Sequence, residues 1–204
     1  MSYLEFFGTV AGAIAVWLSA KGNVWSWPLG VINTVLLVFL FFQIQLYPDM
    51  FLNVFFTVTN LIGWWRWTHP DKEEEDRKKE LKVSHVSARQ ILIFSAVGVV
   101  GTYISGMLAS RLHEWLPVIF QKPSAFPYVD SFVTVLSVIA TFWMIQKKVE
   151  CWILWIVIDA VATGMYFVKG VKLLSLEYFV FCFIAAFGLW SWIVEYRSYS
   201  SSRT

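Results

Sequence analysis

Residues 151–167 read CWILWIVIDAVATGMYF, an apolar run of membrane-helix character with a single carboxylate near its middle. At helical spacing one face of this run carries two indoles, a carboxylate, a hydroxyl and a phenol: Trp152, Trp155, Asp159, Thr163 and Tyr166. A charged group in a bilayer core costs roughly 2.5–3.5 kcal/mol, so such groups face a bundle interior or an aqueous cavity. A bond to a neighbouring helix is one interpretation of Asp159. The aromatic stripe that leads to it favours a ligand site.

Composition indicates a membrane protein. The 204 residues are 58% hydrophobic and 19% aromatic, with a mean hydropathy of +0.61, more apolar surface than a soluble domain of this size could bury. The net charge is +2 and is locally distributed, so nucleic acid binding has no support. Cys151 and Cys182 lie in or beside apolar runs, and we expect free thiols rather than a disulfide or a metal pair.

Apolar segments of membrane-spanning character follow one another along the chain, each near the ~20 residues that a spanning helix needs. The sequence therefore predicts an all-α polytopic membrane protein with seven transmembrane helices, at Glu5–Ala20, Val24–Phe42, Met50–Trp67, Ala88–Leu112, Tyr128–Gln146, Val149–Val168 and Leu174–Tyr196. The charged run His69–Lys82 is predicted to be a solvated helical extension or a loop. The segment between the fourth and fifth helices, His113–Pro127, contains prolines that interrupt a helix and aromatic residues typical of the membrane surface. It is therefore predicted to be an interfacial segment.

The distribution of lysine and arginine predicts the orientation. With seven spans, twelve of these residues fall on the side of the C-terminus and four on the other side. Because basic residues are enriched in cytoplasmic loops, we expect the C-terminus inside and the N-terminus outside.

An internal repeat organises the chain. The segment Glu5–Ala15 aligns with Asp130–Ala140, and Gly63–Trp67 aligns with Gly188–Trp192. Each copy covers three helices and one helix is left between them, which predicts two parallel three-helix repeats joined by a linker helix, a 3+1+3 plan used by transporters. The predicted domains are a first bundle, then a charged loop with the linker helix and interfacial segment, then a second bundle with the C-terminal tail: 1–67, 68–127 and 128–204.

The repeat adds amides to the candidate site. After a one-residue shift Asn33 lies opposite Asp159, and Asn53 and Asn60 share a polar face of the third helix. Taken singly, Asn53 and Asn60 serve equally well as interhelical hydrogen-bonding residues, worth roughly 0.6–2 kcal/mol. Together these side chains suit a planar, polar small molecule, and the indoles would favour a cationic ring.

Other classes of function have less support. The sequence has no nucleotide-binding loop, no metal-ligand cluster and no convergent nucleophile and base, so we predict neither a catalytic site, nor a metal, nor a cofactor, and no enzyme. A membrane receptor stays open as an alternative, because a receptor needs the same kind of site as a carrier.

Several motifs resemble those of the PnuC family of vitamin transporters. They are Trp27-Pro-Leu-Gly-Val-Ile-Asn33, Leu46-Tyr-Pro-Asp-Met50 with Asn53, Gly63-Trp-Trp-Arg-Trp67, Trp152-x-x-Trp155-x-x-x-Asp159 and Gly188-x-Trp190-x-Trp192. The resemblance extends over nearly the whole chain. It implies a fold like that of SWEET sugar transporters, a place in the bacterial inner membrane and assembly as a homotrimer. It also implies uptake of nicotinamide riboside by facilitated diffusion, with thiamine or a deoxynucleoside as alternative substrates.

Overall fold

The computed structural model describes residues 3–43, 47–76, 79–116 and 125–201. Its α-helices, in chain order, are α1 (Tyr3–Ala20), α2 (Ser26–Gln43), α3 (Tyr47–Thr68), α4 (Ala88–Trp115), α5 (Pro127–Ile145), α6 (Cys151–Val168) and α7 (Lys172–Ser201). Within the ranges described, extended pairing is limited to isolated β-bridges, between Glu75 and Leu81 and between Ser84 and Lys148. The prediction of an all-α chain is confirmed.

Five of the helices are long and apolar enough to cross a membrane: α2, α4, α5, α6 and residues 174–199 of α7. Helix α1 contributes a shorter apolar helix, Val10–Ala20. Helix α3 is not among the five, and it carries Asn53, Asn60 and Arg66, which lower its hydropathy. By length and composition the chain is therefore a polytopic membrane protein, and the count of seven spans stays a prediction.

The chain forms two compact units, and the first comprises residues 1–84, 143–149 and 186–204. In it α1 packs on α2 and α2 packs on α3. Its largest fully buried side chains include Trp67, Trp192 and Lys147. The Lys147 ammonium lies 4.9 Å from the Trp67 ring centroid and 3.7 Å from Glu195 Oε1. One indole face and one carboxylate therefore compensate a cation that water barely reaches.

The charged stretch 69–82 is an ordered loop on the first unit where the structure describes it; residues 77 and 78 lie outside the description. Leu81 and Val83 are buried, and the Leu81 amide donates to the Trp67 carbonyl oxygen at 3.1 Å. An ion pair joins Arg66 to Glu74 at the loop's start. Of the two predicted forms, the structure has the loop, because apolar residues at its end pack inward while its charges stay at the surface.

The second unit comprises residues 85–142 and 150–185. Helix α4 begins with a capping box. The Ser87 hydroxyl accepts a hydrogen bond from the Gln90 backbone N–H, and the Gln90 side-chain oxygen accepts one from the Ser87 backbone N–H. Helices α4 and α5 approach closely, because a Cβ added at Gly106 would overlap the Tyr128 ring. Residues 117–124, in the predicted interfacial segment, lie outside the description, and the predicted domain boundaries stay predictions.

Candidate functional site

Asp159 lies in the middle of α6 and is only 4% exposed. Among the residues that the structure describes, none forms a hydrogen bond or ion pair with its carboxylate. Thr163, one turn later, donates its hydroxyl to the Asp159 backbone carbonyl at 2.7 Å and so leaves the carboxylate untouched. Buried polar groups are normally paired, so this carboxylate marks a place where a ligand or water would supply the missing donor.

Helix α7 presents two further residues, Tyr178 and Cys182, that were not predicted as site residues. Tyr178 stacks on Tyr166 of α6, with ring centroids 5.4 Å apart and planes 6° from parallel. Cys182 is half-buried and lies one turn later on the same face of α7. The four-residue spacing of Tyr178 and Cys182 is visible in the sequence, but it has meaning only once α7 is known to pack on α6.

The two tryptophans of α6 lie in different environments. Trp152 is 1% exposed and belongs to the buried core of the helix. Trp155 is half-buried, and its indole Nε1–H is buried without a hydrogen-bond partner in the described part of the chain. A buried indole donor normally has a partner, so Trp155 offers a ligand both a ring face and a donor.

An ion pair lies just beyond the tyrosine pair. The Lys169 ammonium donates to both carboxylate oxygens of Asp130, at 2.9 and 3.2 Å. It also lies 5.4 Å from the Tyr166 ring centroid. The end of α6 that follows Tyr166 is therefore held to the start of α5 by a charge pair at one rim of the aromatic cluster.

The predicted asparagines belong to the first unit, and two of them pack against glycines. A Cβ added at Gly12 would lie 2.8 Å from Asn33 Nδ2, and one at Gly30 would lie 2.7 Å from Asn60 Oδ1. Asn53 is buried, with 9% exposure. Asn33 and Asn60 therefore lie where the neighbouring helix has no side chain.

The predicted residues of α6 share one face as expected, and the structure adds Tyr178 and Cys182 to them. Both cysteines are free thiols, as predicted. No group of three or more His, Cys, Asp or Glu side chains that could hold a metal ion occurs within the described ranges. The chemistry available among the described residues of this face is therefore that of aromatic rings, hydroxyls, a carboxylate and indole donors.

Comparisons with known proteins find transporters that are similar to this chain. The model of the nicotinamide mononucleotide transporter family matches residues 2–194. The chain is 32% identical over 216 residues to the nicotinamide riboside transporter PnuC of Escherichia coli, covering 98% of this chain and 89% of the relative. It is 30% identical to PnuC of Neisseria mucosa, over 84% of this chain and 62% of that protein.

A solved structure is also similar. The crystal structure of the vitamin B3 transporter PnuC superposes with a TM-score of 0.70 at 25% identity, covering 97% of this chain and 83% of that one. The resemblance to PnuC transporters that the motifs indicated is thereby confirmed. The chain belongs to the nicotinamide mononucleotide transporter family.

Proposed function

We propose that this protein takes up nicotinamide riboside across the bacterial inner membrane by facilitated diffusion. The observation that carries the proposal is the 32% identity to a nicotinamide riboside transporter over 98% of the chain. The unpaired carboxylate of Asp159 inside an apolar helix agrees with it, because the substrate has a cationic pyridinium ring. Family and relatives are transporters, which points away from an enzyme.

Each part of the substrate has a complementary group among the proposed site residues. Asp159 would face the pyridinium charge, and Trp155 would supply a ring face and a donor to the carboxamide oxygen. The hydroxyls of the ribose need acceptors and donors, for which amides and hydroxyls are suited. The proposed substrate-binding residues are Trp152, Trp155, Asp159, Asn33, Asn53, Asn60, Thr163 and Tyr166.

Helix boundaries support the proposed 3+1+3 plan of two parallel repeats, as in SWEET transporters. Helix α2 begins at Ser26 and α6 begins 125 residues later at Cys151, and α3 and α7 begin at Tyr47 and Lys172 with the same offset. Gly22 and Lys147, separated by that offset too, both have a left-handed backbone. At this register Thr34, next to Asn33, corresponds to Asp159.

The repeat would account for the left-handed lysine. A positive φ is costly for most side chains and is normally given to glycine. The turn between α5 and α6 nevertheless has Lys147 at φ 51°, where the turn between α1 and α2 has Gly22 at φ 64°. A lysine that keeps the geometry of a glycine turn is expected if both turns descend from one repeated unit and the lysine gains compensating contacts.

We further propose that the N-terminus is outside and the C-terminus is cytoplasmic, on the lysine and arginine distribution. Residues 1–67 and 128–204 would form the two bundles, with 68–127 between them, and the protein would assemble as a homotrimer as the family resemblance implies. Without a nucleotide-binding motif in its sequence, the carrier would equilibrate its substrate rather than concentrate it.

Proteoliposomes test the function. Vesicles that contain the purified protein and unlabelled nicotinamide riboside should take up labelled nicotinamide riboside by counterflow, whereas protein-free vesicles should not. Thiamine and deoxynucleosides, offered as competitors, separate the alternative substrates, and nicotinamide mononucleotide tests whether a phosphate is tolerated. Binding of nicotinamide riboside without flux would indicate a receptor and would contradict the proposal.

The coupling is tested in the same vesicles. With equal substrate concentrations on both sides, a proton or sodium gradient should cause no net accumulation. Accumulation under either gradient would show that transport is coupled.

A further inference from the structure

Tyr178 and Cys182, two α7 side chains in the second unit, are four residues apart and so share one face of their helix. That face packs on α6, because the Tyr178 ring stacks on Tyr166, which shares its α6 face with Asp159. A hydrogen bond from the Ser175 hydroxyl to the Thr163 carbonyl oxygen, at 2.8 Å, also joins the two helices. Cys182, one turn after Tyr178, therefore lies on the side of α7 that is turned toward the Asp159 face of α6.

The surroundings of Asp159 are chemically incomplete. The residue is only 4% exposed, and no described residue donates a hydrogen bond to its carboxylate. Cys182 is half-buried, whereas its neighbour Phe183 is 63% exposed on the outer face of α7. The Cys182 thiol lies on the side of α7 turned toward the Asp159 face of α6, whereas Phe183 is exposed. A ligand that donates a hydrogen bond to the Asp159 carboxylate would therefore lie beside Cys182 and complete the site.

We propose that Tyr178 and Cys182 belong to the substrate site, an inference that rests on the proposed function. Cys182 borders the volume that the substrate occupies next to Asp159. The stacked pair of Tyr166 and Tyr178 closes that volume on the side toward Lys169. A flat aromatic wall there selects planar rings, while the small thiol leaves room for them.

Thiol labelling tests the assignment on the native chain, because only Cys182 of the two cysteines is exposed at all; Cys151 is fully buried. Purified protein in detergent is treated with N-ethylmaleimide, with and without saturating nicotinamide riboside, and modification is followed by mass spectrometry. We expect Cys182 to react and the substrate to slow its modification about tenfold or more, as for any group that is blocked in the bound state. Cys151 should stay unmodified in both samples.

A matched control separates protection by contact from a general stiffening of the protein. In a chain that keeps Cys182, Phe183→Cys adds a thiol one position away on the exposed face, and fragment-ion mass spectrometry distinguishes the two thiols. Labelling of the added thiol should not change when nicotinamide riboside is added, although calorimetry should still report binding.

A second measurement does not depend on thiol reactivity. Cys182→Phe should fill the proposed volume and weaken nicotinamide riboside binding about tenfold or more, roughly the effect of one lost favourable contact of 1.4 kcal/mol. Val180→Phe adds a similar ring at a 48% exposed position on the same helix and should leave the affinity unchanged. Both variants should melt within a few degrees of each other, since neither side chain enters the core in the proposed arrangement.

The outcomes are distinguishable. Binding of nicotinamide riboside with unchanged labelling of Cys182, or with unchanged affinity in Cys182→Phe, would overturn the inference and leave the proposed function standing. If Cys182 reacts in neither sample, the affinity of Cys182→Phe for nicotinamide riboside tests the inference instead: weaker binding supports it and unchanged binding overturns it. Absence of any binding by the native protein would overturn the proposed function and the inference with it.

Discussion

The indole rings of Trp67 and Trp192 lie against each other in the first unit, with centroids 5.8 Å apart and planes inclined by 56°. Both are fully buried. Trp67 Nε1 donates to the Met144 carbonyl oxygen and Trp192 Nε1 donates to the Ser19 carbonyl oxygen, each at 3.1 Å. The two donors and the two acceptors are separated by the same 125 positions. The two halves of the sequence thus exchange equivalent contacts.

Such an exchange agrees with the proposed internal repeat. Trp27 joins the pair edge-on, with its ring centroid 5.3 Å from that of Trp67, and Lys147 caps the Trp67 face. Because Trp67 and Trp192 combine buried area with satisfied donors, we expect the pair to contribute strongly to the stability of the first unit.

Truncation of either tryptophan should therefore destabilise the protein. We expect Trp67→Ala and Trp192→Ala to cost roughly 3–5 kcal/mol each, as for other buried aromatic residues, and thermal melting in detergent should show it. Trp65→Ala and Trp190→Ala are matched controls, since both rings are 62% exposed. Equal melting temperatures in all four variants would contradict the role of the cluster.

Asp159→Asn should separate charge from shape in the site. The amide keeps the size of the side chain but removes the negative charge that would face a pyridinium ring. We expect nicotinamide riboside to bind about tenfold or more weakly, a loss of about 1.4 kcal/mol or more. A neutral nucleoside of similar shape should lose less, and calorimetry with both ligands measures the difference. If both ligands lose the same affinity, Asp159 acts on the substrate through hydrogen bonding and not through its charge.

Trp155 and Trp152 should respond differently to substitution. Trp155→Ala should weaken binding by on the order of 1–3 kcal/mol, by analogy with bases stacked on protein aromatics, with little change in melting temperature. Trp155→Phe keeps a ring and removes the unpaired Nε1–H, so its loss should be smaller. Trp152→Ala should chiefly lower the melting temperature, because that ring is buried. The reverse pattern would identify Trp152 as the substrate's stacking partner.

The close contact of Trp27 with Gly63 predicts a position-specific glycine effect. A Cβ at Gly63 would overlap the Trp27 ring, whereas one at Gly164 would meet nothing within 4 Å. We expect Gly63→Ala to destabilise the protein by roughly 1–3 kcal/mol through overpacking. Gly164→Ala should be neutral or slightly stabilising, because alanine favours the helix by about 1 kcal/mol. Melting curves of the two variants provide the comparison.

The proposed orientation is tested with single cysteines in a variant in which both native cysteines are replaced by alanine. Glu75→Cys and Ser201→Cys should resist a membrane-impermeant thiol reagent in intact cells and react after lysis. Val171→Cys, in the short loop between α6 and α7, should react before lysis. Labelling of either of the first two in intact cells would reverse the topology.

The sequence by itself determined the class of the protein, the order and approximate limits of its helices, and its family. Those properties follow from local patterns: apolar runs of spanning length, helical spacing, and motifs such as Gly63-Trp-Trp-Arg-Trp67. The face of α6 that carries Asp159 was predictable for the same reason, since the period of a helix depends on no other part of the chain.

Only the tertiary structure decided which side chains are available on that face. Trp152 and Trp155 are chemically identical and one turn apart, yet packing buries the first completely and leaves the second half-buried. Tyr178 of α7 stacks on Tyr166 of α6, and Lys147 lies over the ring of Trp67, which is far from it in the chain. Burial and pairing are properties of contacts between elements, and no local pattern specifies them.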